Sequence, residues 1–336
     1  MVETLNNVVV LNEQPEFVAM SRDDISANFF ILCENNSNGT ILKDIHEYKV
    51  AGMSILNWVV RACEKQPIIL QVEENADVLD VIRPYANDAD YSVVLYANTP
   101  LVNKGHIKDL LTFVDRKRMN ACKLKKGYVL RNEYILGVDE LYSIDTYDFA
   151  SDDFYEVKSL EDLSYVQGAL LKKVTKYMQK NGVYFENANM VTVDALADVG
   201  YGTSVASNVS ILGGCVIGDS VELDTGSVIS GSKIGDNVKI GKGAYVLNSI
   251  VKNDAVIEDG AIIKNSVIGS NSVVGVGAKV LSSGFKTNAR IGNFSVVVNS
   301  KYPEPAQIAD LMTIKNNKVG AWYETNCWTW KYWKWI

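Results

Sequence analysis

Histidine is almost absent from this sequence of 336 residues, which contains only His46 and His106. Because both lie in the first third of the chain, a histidine-based metal site is excluded from the rest. The five cysteines are widely scattered and include no Cys-x-x-Cys pair. This spacing argues against a cysteine-based metal site and against a disulfide framework, and it suits a reducing compartment.

Long apolar runs are also lacking, since no window of 18 apolar residues occurs. The first residues lack a basic region followed by an apolar stretch, so we expect a cytoplasmic protein that neither is secreted nor crosses a membrane. The net charge of −7 argues against a nucleic-acid partner. One basic cluster is predicted to be a solvated helix end and loop. It comprises Arg116, Lys117, Arg118, Lys123, Lys125 and Lys126.

An internal repeat dominates residues 195–300. From Ile217 onward, aliphatic or aromatic residues recur at spacings of six, six and five, so that one full coil takes 17 residues, and before Ile217 they recur at a spacing of six. Glycine follows many of these residues, as in Ile217-Gly218 and Ile234-Gly235. The members of the series are Val199, Val205, Ile211, Ile217, Leu223, Ile229, Ile234, Ile240, Val246, Val251, Ile257, Ile263, Ile268, Val274, Val280, Phe285, Ile291 and Val297.

This period is typical of a triangular tube in which three short parallel strands form each coil. The recurring apolar residue is predicted to point inward and to stack on its counterpart in the next coil, while Gly, Asn and Asp turn the corners. One coil cannot bury a core alone, so stability comes from stacking. The hexapeptide period predicts a left-handed parallel β-helix, an exception to the right-handed crossover rule. Such prisms expose a flat face, so we expect a homotrimer.

Residues 1–158 alternate strand-like runs with helical ones, which predicts an α/β domain with a small parallel sheet. The predicted strands are Phe29–Cys33, Pro67–Val72 and Tyr91–Tyr96, and the predicted helices are Ser54–Cys63 and His106–Arg116.

Residues 159–194 are predicted to form a linking helix and the segment that leads into the repeat. Ser159 and Asp162 resemble a capping box, and Asn181-Gly182 provides a stop. The expected apolar face of the helix comprises Leu163, Val166, Leu170, Val174 and Tyr177.

Residues 301–336 are predicted to form a separate tail. Pro303 and Pro305 are expected to end the repeat, and Ala306–Met312 reads as a helix. Five of the six tryptophans follow, and we interpret them as a cap over the open end of the tube. Carbohydrate stacking or a partner interface are the alternatives.

Four segments resemble the bifunctional N-acetylglucosamine-1-phosphate uridyltransferase/glucosamine-1-phosphate acetyltransferase family. Ala169–Val183 is similar to the family's linker helix, and Arg290–Ser300 to its late-coil signature. Lys49–Leu56 looks like the segment after the nucleotide loop, and Val94–Leu101 like the strand that ends in Asp-x-Pro-Leu. The resemblance implies that residues 1–158 form a small, truncated nucleotidyltransferase-like domain.

This sequence differs from that family at five positions of the uridyltransferase site. In the family, an arginine and a lysine neutralise the triphosphate, and an aspartate with an asparagine holds magnesium. The corresponding residues here are an acid in the phosphate loop, two isoleucines, a neutral amide and a cation. They are Glu34, Ile41, Ile45, Asn98 and Lys158.

The acetyltransferase site is also incomplete. Acyl transfer in such proteins uses a histidine as general base, and the repeat contains none. The chain is expected to leave the repeat at Tyr302-Pro303, and Ala278–Leu281 stands where the family carries an arginine-bearing segment.

The resemblance leaves Gly39, Thr40, Asn98 and Thr99 as candidate ligand-binding residues, with no catalytic residue and no metal ligand. No cofactor is expected, except magnesium if nucleotidyl transfer is retained.

Three functions remain open. The favoured one is a non-catalytic trimeric scaffold or regulatory homologue related to UDP-N-acetylglucosamine metabolism, with a sugar nucleotide or a protein as a further partner. The alternative is an active nucleotidyl or acyl transferase with a non-standard site. The third is a structural assembly protein that uses its tryptophan-rich tail as the contact.

Overall fold

A computed structural model describes residues 25–35, 44–74, 76–86, 89–141, 145–146, 153–302, 305–317 and 324–325. The chain divides into two compact units, residues 1–169 and 170–336.

The first unit is an α/β fold built, within its described residues, on a six-stranded sheet. The strands in sheet order are β4 (Ile68–Glu73), β1 (Ala27–Asn35), β5 (Tyr91–Tyr96), β7 (Gly127–Arg131), β6 (Ala121–Leu124) and β8 (Asp145–Thr146). β1 pairs in parallel with β4 and β5, and the three predicted strands are confirmed. β7 runs antiparallel to both β5 and β6, so the sheet is mixed rather than purely parallel. A separate antiparallel pair is formed by β2 (Lys49–Val50) and β3 (Met53–Ser54).

Helices cover this sheet, and both predicted ones are confirmed. Each of the first three begins with a side-chain cap, as when the hydroxyl of Ser54 accepts a hydrogen bond from the backbone N–H of Asn57. The helices are α1 (Ile55–Ala62), α2 (Val78–Ile82), α3 (Lys104–Lys117) and α4 (Asn132–Gly137), with short 3-10 helices at Ile45–Glu47 and Arg83–Tyr85.

The core of this unit lies on both faces of the sheet, and β1 contributes to each. Phe29, Ile31 and Cys33 pack into one cluster, whereas Phe30 and Leu32 pack into the other. A central strand that is buried on both faces requires an unbroken apolar run, which explains the sequence of β1.

α5 (Leu160–Lys180) is the predicted linking helix. Its start is a capping box, since the hydroxyl of Ser159 accepts from the backbone N–H of Asp162 and the Asp162 carboxylate accepts from that of Ser159. Val166, Leu170 and Val174 are buried as predicted. Tyr177 is 67% exposed, so its assignment to the apolar face was wrong, and the buried residue of the last turn is Met178.

The second unit is a three-sided parallel β-helix, as the hexapeptide repeat predicts, while its left-handedness stays a prediction. Within the described residues its strands form sheets of nine, eight and seven strands. The nine-stranded sheet contains β9 (Tyr184–Phe185), β12 (Ser204–Val205), β15 (Glu222–Leu223), β18 (Lys239–Ile240), β21 (Val256–Ile257), β24 (Val273–Val274), β27 (Arg290–Ile291), β30 (Gln307–Ile308) and β32 (Glu324–Thr325). The eight-stranded sheet contains β10 (Thr192–Val193), β13 (Ser210–Leu212), β16 (Val228–Ser230), β19 (Tyr245–Leu247), β22 (Ile262–Lys264), β25 (Lys279–Leu281), β28 (Val296–Val298) and β31 (Thr313–Lys315). The seven-stranded sheet contains β11 (Asp198–Val199), β14 (Val216–Ile217), β17 (Lys233–Ile234), β20 (Ile250–Val251), β23 (Val267–Ile268), β26 (Gly284–Phe285) and β29 (Lys301–Tyr302), and a 3-10 helix covers Ala188–Met190.

The recurring apolar residues form the core of the tube, which confirms the predicted register. Ile240 pairs with Leu223 on one side and Ile257 on the other, and all three are at most 2% exposed. The corners carry positive backbone φ, mostly at Gly and Asn as predicted, although Phe294 and Leu311 adopt it as well.

A row of polar side chains at one corner, most of them buried, recurs every 17 residues and was not predicted from the sequence. Each serine hydroxyl accepts a hydrogen bond from the backbone N–H of the next member at 3.0 or 3.1 Å. Each also donates to the carbonyl oxygen two residues earlier at 2.7–2.9 Å. The hydroxyls thus satisfy buried N–H groups along the tube. This serine row comprises Cys215, Ser232, Ser249, Ser266, Ser283, Ser300 and Asn317.

The tube extends past both predicted ends. It begins with β9 and β10, before residue 195, and it continues after Tyr302 into β30 and β31. The prediction of a helix at Ala306–Met312 was therefore wrong, because Ala306 and Ile308 point into the tube at the same spacing as their predecessors. The five tryptophans of the tail lie outside the described residues. Among the helices that the structure describes, none combines the length and apolar character needed to span a bilayer.

Candidate functional site

The candidate site of the first unit lies where β1 and β5 end. Parallel neighbouring strands place their carboxyl ends at one edge of the sheet, where α/β folds bind ligands. Glu34 is near the end of β1, and Asn98 and Thr99 follow β5 directly. Gly39, Thr40 and Ile41 lie outside the described residues.

A lysine occupies the centre of this edge. The Nζ atom of Lys126 lies 2.8 Å from Glu34 Oε2 and 3.1 Å from Glu156 Oε1. The same ammonium group sits 4.2 Å from the centroid of the Tyr96 ring, within the range of a cation–π contact. The side chains of Lys126, Glu34 and Glu156 are only 22%, 17% and 20% exposed. The prediction that the basic cluster is solvated is therefore wrong for Lys126.

The pairing of β5 with β7 explains how the chain places this lysine. Val94 lies opposite Tyr128 in an antiparallel register, which brings the turn between β6 and β7 beside Tyr96. Gly127 follows Lys126 in this turn with φ +132°, and a Cβ there would lie 2.5 Å from the carbonyl oxygen of Val94. Only glycine allows so close an approach.

Glu156 is held in place from the opposite side. The backbone N–H of Val157 donates to the carbonyl oxygen of Asn98 at 2.9 Å, and Asn98 Nδ2 donates to Glu156 Oε1 at 3.2 Å. Lys158 Nζ lies 2.8 Å from Glu156 Oε2, with a side chain that is 69% exposed. Six residues meet at this edge of the sheet, and we call them the Lys126 cluster. It comprises Glu34, Tyr96, Asn98, Lys126, Glu156 and Lys158.

Lys126 and Glu156 are both held in their charged forms. Burial acts to lower the pKa of Lys126, but hydrogen bonds and attraction from Glu34 and Glu156 outweigh it and raise the pKa above its usual value. Burial acts to raise the pKa of Glu156, but its hydrogen bond with Lys158 and the nearby Lys126 charge hold that pKa below its usual value. Carboxylates and ammonium groups thus alternate within the cluster, so that each charge lies next to one of opposite sign.

Thr99 and Asn98 differ in how their side chains are used. Thr99 is fully buried, and its hydroxyl donates to the carbonyl oxygen of Tyr96 at 2.8 Å, so it supports the turn after β5. Asn98 Oδ1 is buried without a hydrogen-bond partner among the described residues.

The arrangement does not fit a magnesium ion. Magnesium binds oxygen ligands at about 2.0–2.1 Å, and the ammonium of Lys126 already fills the space between the two carboxylates. Within the described part of the chain, no group of three or more His, Cys, Asp or Glu side chains is arranged to hold a metal ion.

Three members of the cluster were not predicted from the sequence. Lys126 was assigned to the surface because basic residues surround it, although the following Gly127 signals a tight turn against another strand. Tyr96 and Glu156 gave no local signal, because their proximity to Lys126 depends on strand pairing across the domain.

A shallow depression of about 600 Å³ lies on the nine-stranded sheet of the β-helix. Acidic residues line much of it, including Glu186, Glu222 and Glu258. Glu222 pairs with Lys239 at 2.9 Å, and Glu186 accepts hydrogen bonds from Ser207. The wall contains no histidine that could act as a base.

Comparisons with solved structures give distant likenesses. A CMP:2-keto-3-deoxy-manno-octonic acid synthetase complexed with CTP aligns at 11% identity and a TM-score of 0.34, covering 44% of this chain and 99% of the other. A cytidylyltransferase from Leptospira borgpetersenii aligns at 14% identity and a TM-score of 0.33, covering 46% of this chain and 96% of the other. A protein described as an acetyltransferase from Desulfovibrio desulfuricans G20 aligns at 18% identity and a TM-score of 0.24, covering 51% and 34%. At these scores the alignments carry no argument about activity.

No curated protein sequence matches the chain significantly. The bacterial transferase hexapeptide (six repeats) model matches residues 214–248. This segment lies wholly within the β-helix, so the match identifies the repeat rather than a family for the whole chain.

Proposed function

We propose that this chain is a non-catalytic relative of sugar-nucleotide transferases that acts as a homotrimeric scaffold or regulatory protein. The observation that carries the proposal is the Lys126 cluster. Nucleotidyl transfer needs cations that are free to neutralise the phosphates and acids that hold magnesium. Here both carboxylates of the cluster are occupied by lysines of the same chain.

The β-helix supports the same proposal. Both histidines precede the repeat, so the tube lacks the usual general base for acyl transfer. Its regular stacking is that of a rigid prism, which suits a scaffold.

The eight-stranded sheet is the surface on which we expect trimer contacts. Apolar side chains point outward there on most strands, whereas the outward positions of the seven-stranded sheet hold three aliphatic residues, three charged ones and a glycine. A flat apolar face buried against two neighbours adds core that a single prism lacks. The outward apolar residues are Leu212, Val228, Tyr245, Leu247, Ile262, Leu281, Val296 and Val298.

Two reactions test the absence of catalysis. The purified full chain is incubated with UTP, magnesium and N-acetylglucosamine 1-phosphate, and separately with acetyl-CoA and glucosamine 1-phosphate. We expect no product above that of a heat-denatured sample, because losing one preorganised electrostatic contact lowers a rate by about 10²–10³. Turnover at ordinary enzyme rates that Asn98→Ala abolishes would establish the transferase alternative.

Ligand binding separates a regulatory role from a scaffold. UDP-N-acetylglucosamine at a hundred times its dissociation constant adds about 2.7 kcal/mol of stability. A rise in melting temperature without turnover indicates a regulatory site, and no rise indicates a scaffold.

Light scattering tests the trimer and the contact surface. Three copies of the 37.1 kDa chain have a mass of about 111 kDa. Ile262→Lys, on the eight-stranded sheet, should lower this mass, and the matched variant Ile250→Lys, on the seven-stranded sheet, should not. A wild-type mass of one chain would refute the trimer, and equal behaviour of the two variants would refute the choice of surface.

A further inference from the structure

We propose that the ammonium group of Lys126 is the resident cation of this site, filling the position of a divalent metal ion and closing the site to metals. The inference deepens the proposed function because it concerns the same cluster. With the Lys126 ammonium in place, the site needs no metal. Removing the Lys126 ammonium is expected to convert the cluster into a metal site.

The oxygen atoms around Lys126 Nζ are the first argument. Glu34 Oε2 and Glu156 Oε1 approach it from two separate segments of the chain, at 2.8 and 3.1 Å. Carboxylate and amide oxygens are the ligands that calcium and manganese take in proteins. Asn98 adds a neutral amide beside Glu156, and its Oδ1 atom is buried without a hydrogen-bond partner among the described residues.

The charge balance of the cluster also favours a cation at the position of Lys126 Nζ. Two carboxylates that face each other repel unless a cation lies between them. Of the two lysines that touch Glu156, only Lys126 also reaches Glu34, because Lys158 is 69% exposed and binds the other Glu156 oxygen. Without the Lys126 ammonium, the cluster would keep two enclosed carboxylates and would lose the cation that bridges them.

The surroundings of Lys126 fit an ammonium group better than a hydrated metal ion. The ring of Tyr96 lies 4.2 Å from Nζ and is only 8% exposed, so it covers one side of the cation with an aromatic face. Ring faces attract ammonium ions but supply no ligand atom to a metal. A divalent ion needs oxygens at about 2.3–2.6 Å, so the two glutamates would move inward by a few tenths of an ångström once the lysine is gone.

The test compares melting temperatures of full-length variants with and without manganese or calcium. Lys126→Met removes the ammonium and keeps an unbranched side chain as far as Cε, and Lys158→Met removes the other lysine from the same glutamate as a matched control. We expect metal at a hundred times its dissociation constant to raise the melting temperature of Lys126→Met by about 5–10 °C. The wild type, Lys158→Met and the double variant Lys126→Met/Glu156→Gln should show no such rise.

The proposal also predicts the outcome if Lys126→Met folds poorly. Manganese should then restore folding, and a chelator should reverse the restoration. Lys126→Arg, which keeps a cation at this position, should fold without metal. Its melting temperature should not change when manganese is added.

Three results would overturn the proposal. One is a Lys126→Met protein that folds but does not respond to metal. Another is a Lys126→Met protein that metal cannot rescue. The last is a wild-type protein whose manganese response disappears in Glu156→Gln. Transferase activity in the wild type would refute the proposed function. It would not decide the role of Lys126, which the metal experiments test separately.

Discussion

The serine row makes a strong quantitative prediction about the β-helix, and Ser266 is the best position to test it. Ser266 is 3% exposed, and its hydroxyl donates to the carbonyl oxygen of Lys264 at 2.7 Å. It accepts from the backbone N–H of Ser283 at 3.0 Å, and Ser283 is 4% exposed. Replacing Ser266 by alanine removes the acceptor and leaves the buried N–H group of Ser283 without this hydrogen-bond partner.

The cost follows from that unpaired donor. A buried N–H that loses its partner costs about 1–3 kcal/mol, whereas an exposed hydroxyl is worth little. We therefore expect Ser266→Ala to lower the free energy of unfolding by about 2 kcal/mol. Ser266→Cys should cost less, because Cys215 shows that sulfur can take this place, accepting from the N–H of Ser232 at 3.5 Å.

Urea unfolding at one fixed protein concentration measures the difference, since oligomer stability depends on concentration. Ser204→Ala, which changes an outward-facing serine on the nine-stranded sheet, is the control. Hydrogen exchange at the Ser283 amide adds a local readout and should accelerate in Ser266→Ala alone. If Ser266→Ala matches the control within about 0.5 kcal/mol, with unchanged exchange at Ser283, the row does not stabilise the tube.

Three further variants test the tube and the Lys126 cluster. Ile257→Asp should unfold the repeat, because an unpaired charge in a column that is 1% exposed costs at least several kcal/mol; circular dichroism melting that equals the wild type would contradict the register. Since the pKa of Glu156 is lowered in the folded protein, its contribution to stability is present above its unfolded value of about 4.3 and is lost as the pH falls through the lowered pKa. The wild type should thus be more stable than Glu156→Gln at pH 6–9, and the two should converge at the acid end of a series of urea titrations. Gly127→Ala should lower the melting temperature of the first unit, because its Cβ would clash with the carbonyl oxygen of Val94, whereas the Gly137→Ala control has open space.

Much of the β-helix could be predicted from sequence because its contacts repeat at a fixed distance along the chain. Ile240 meets Leu223 and Ile257 simply because each is 17 residues away. The error after Tyr302 arose because two prolines were given more weight than the continuing period. Ala306, Ile308 and Ile314 keep that period, and a tube accommodates proline where no strand hydrogen bond is required.

The Lys126 cluster could not be predicted in the same way. Its members come from β1, from the end of β5, from the turn before β7 and from the segment before α5, and no period relates them. Asn98 and Lys158 were identified through a resemblance, as departures from an expected metal site. The sequence alone determined which residues stack in the tube, since this follows from apolar residues at a fixed spacing, whereas the loss of the usual metal ligands is only what the resemblance implies. Only the tertiary structure decided which charges meet at this edge of the sheet, because strand pairing brings the Lys126 ammonium between two carboxylates that are distant in the sequence.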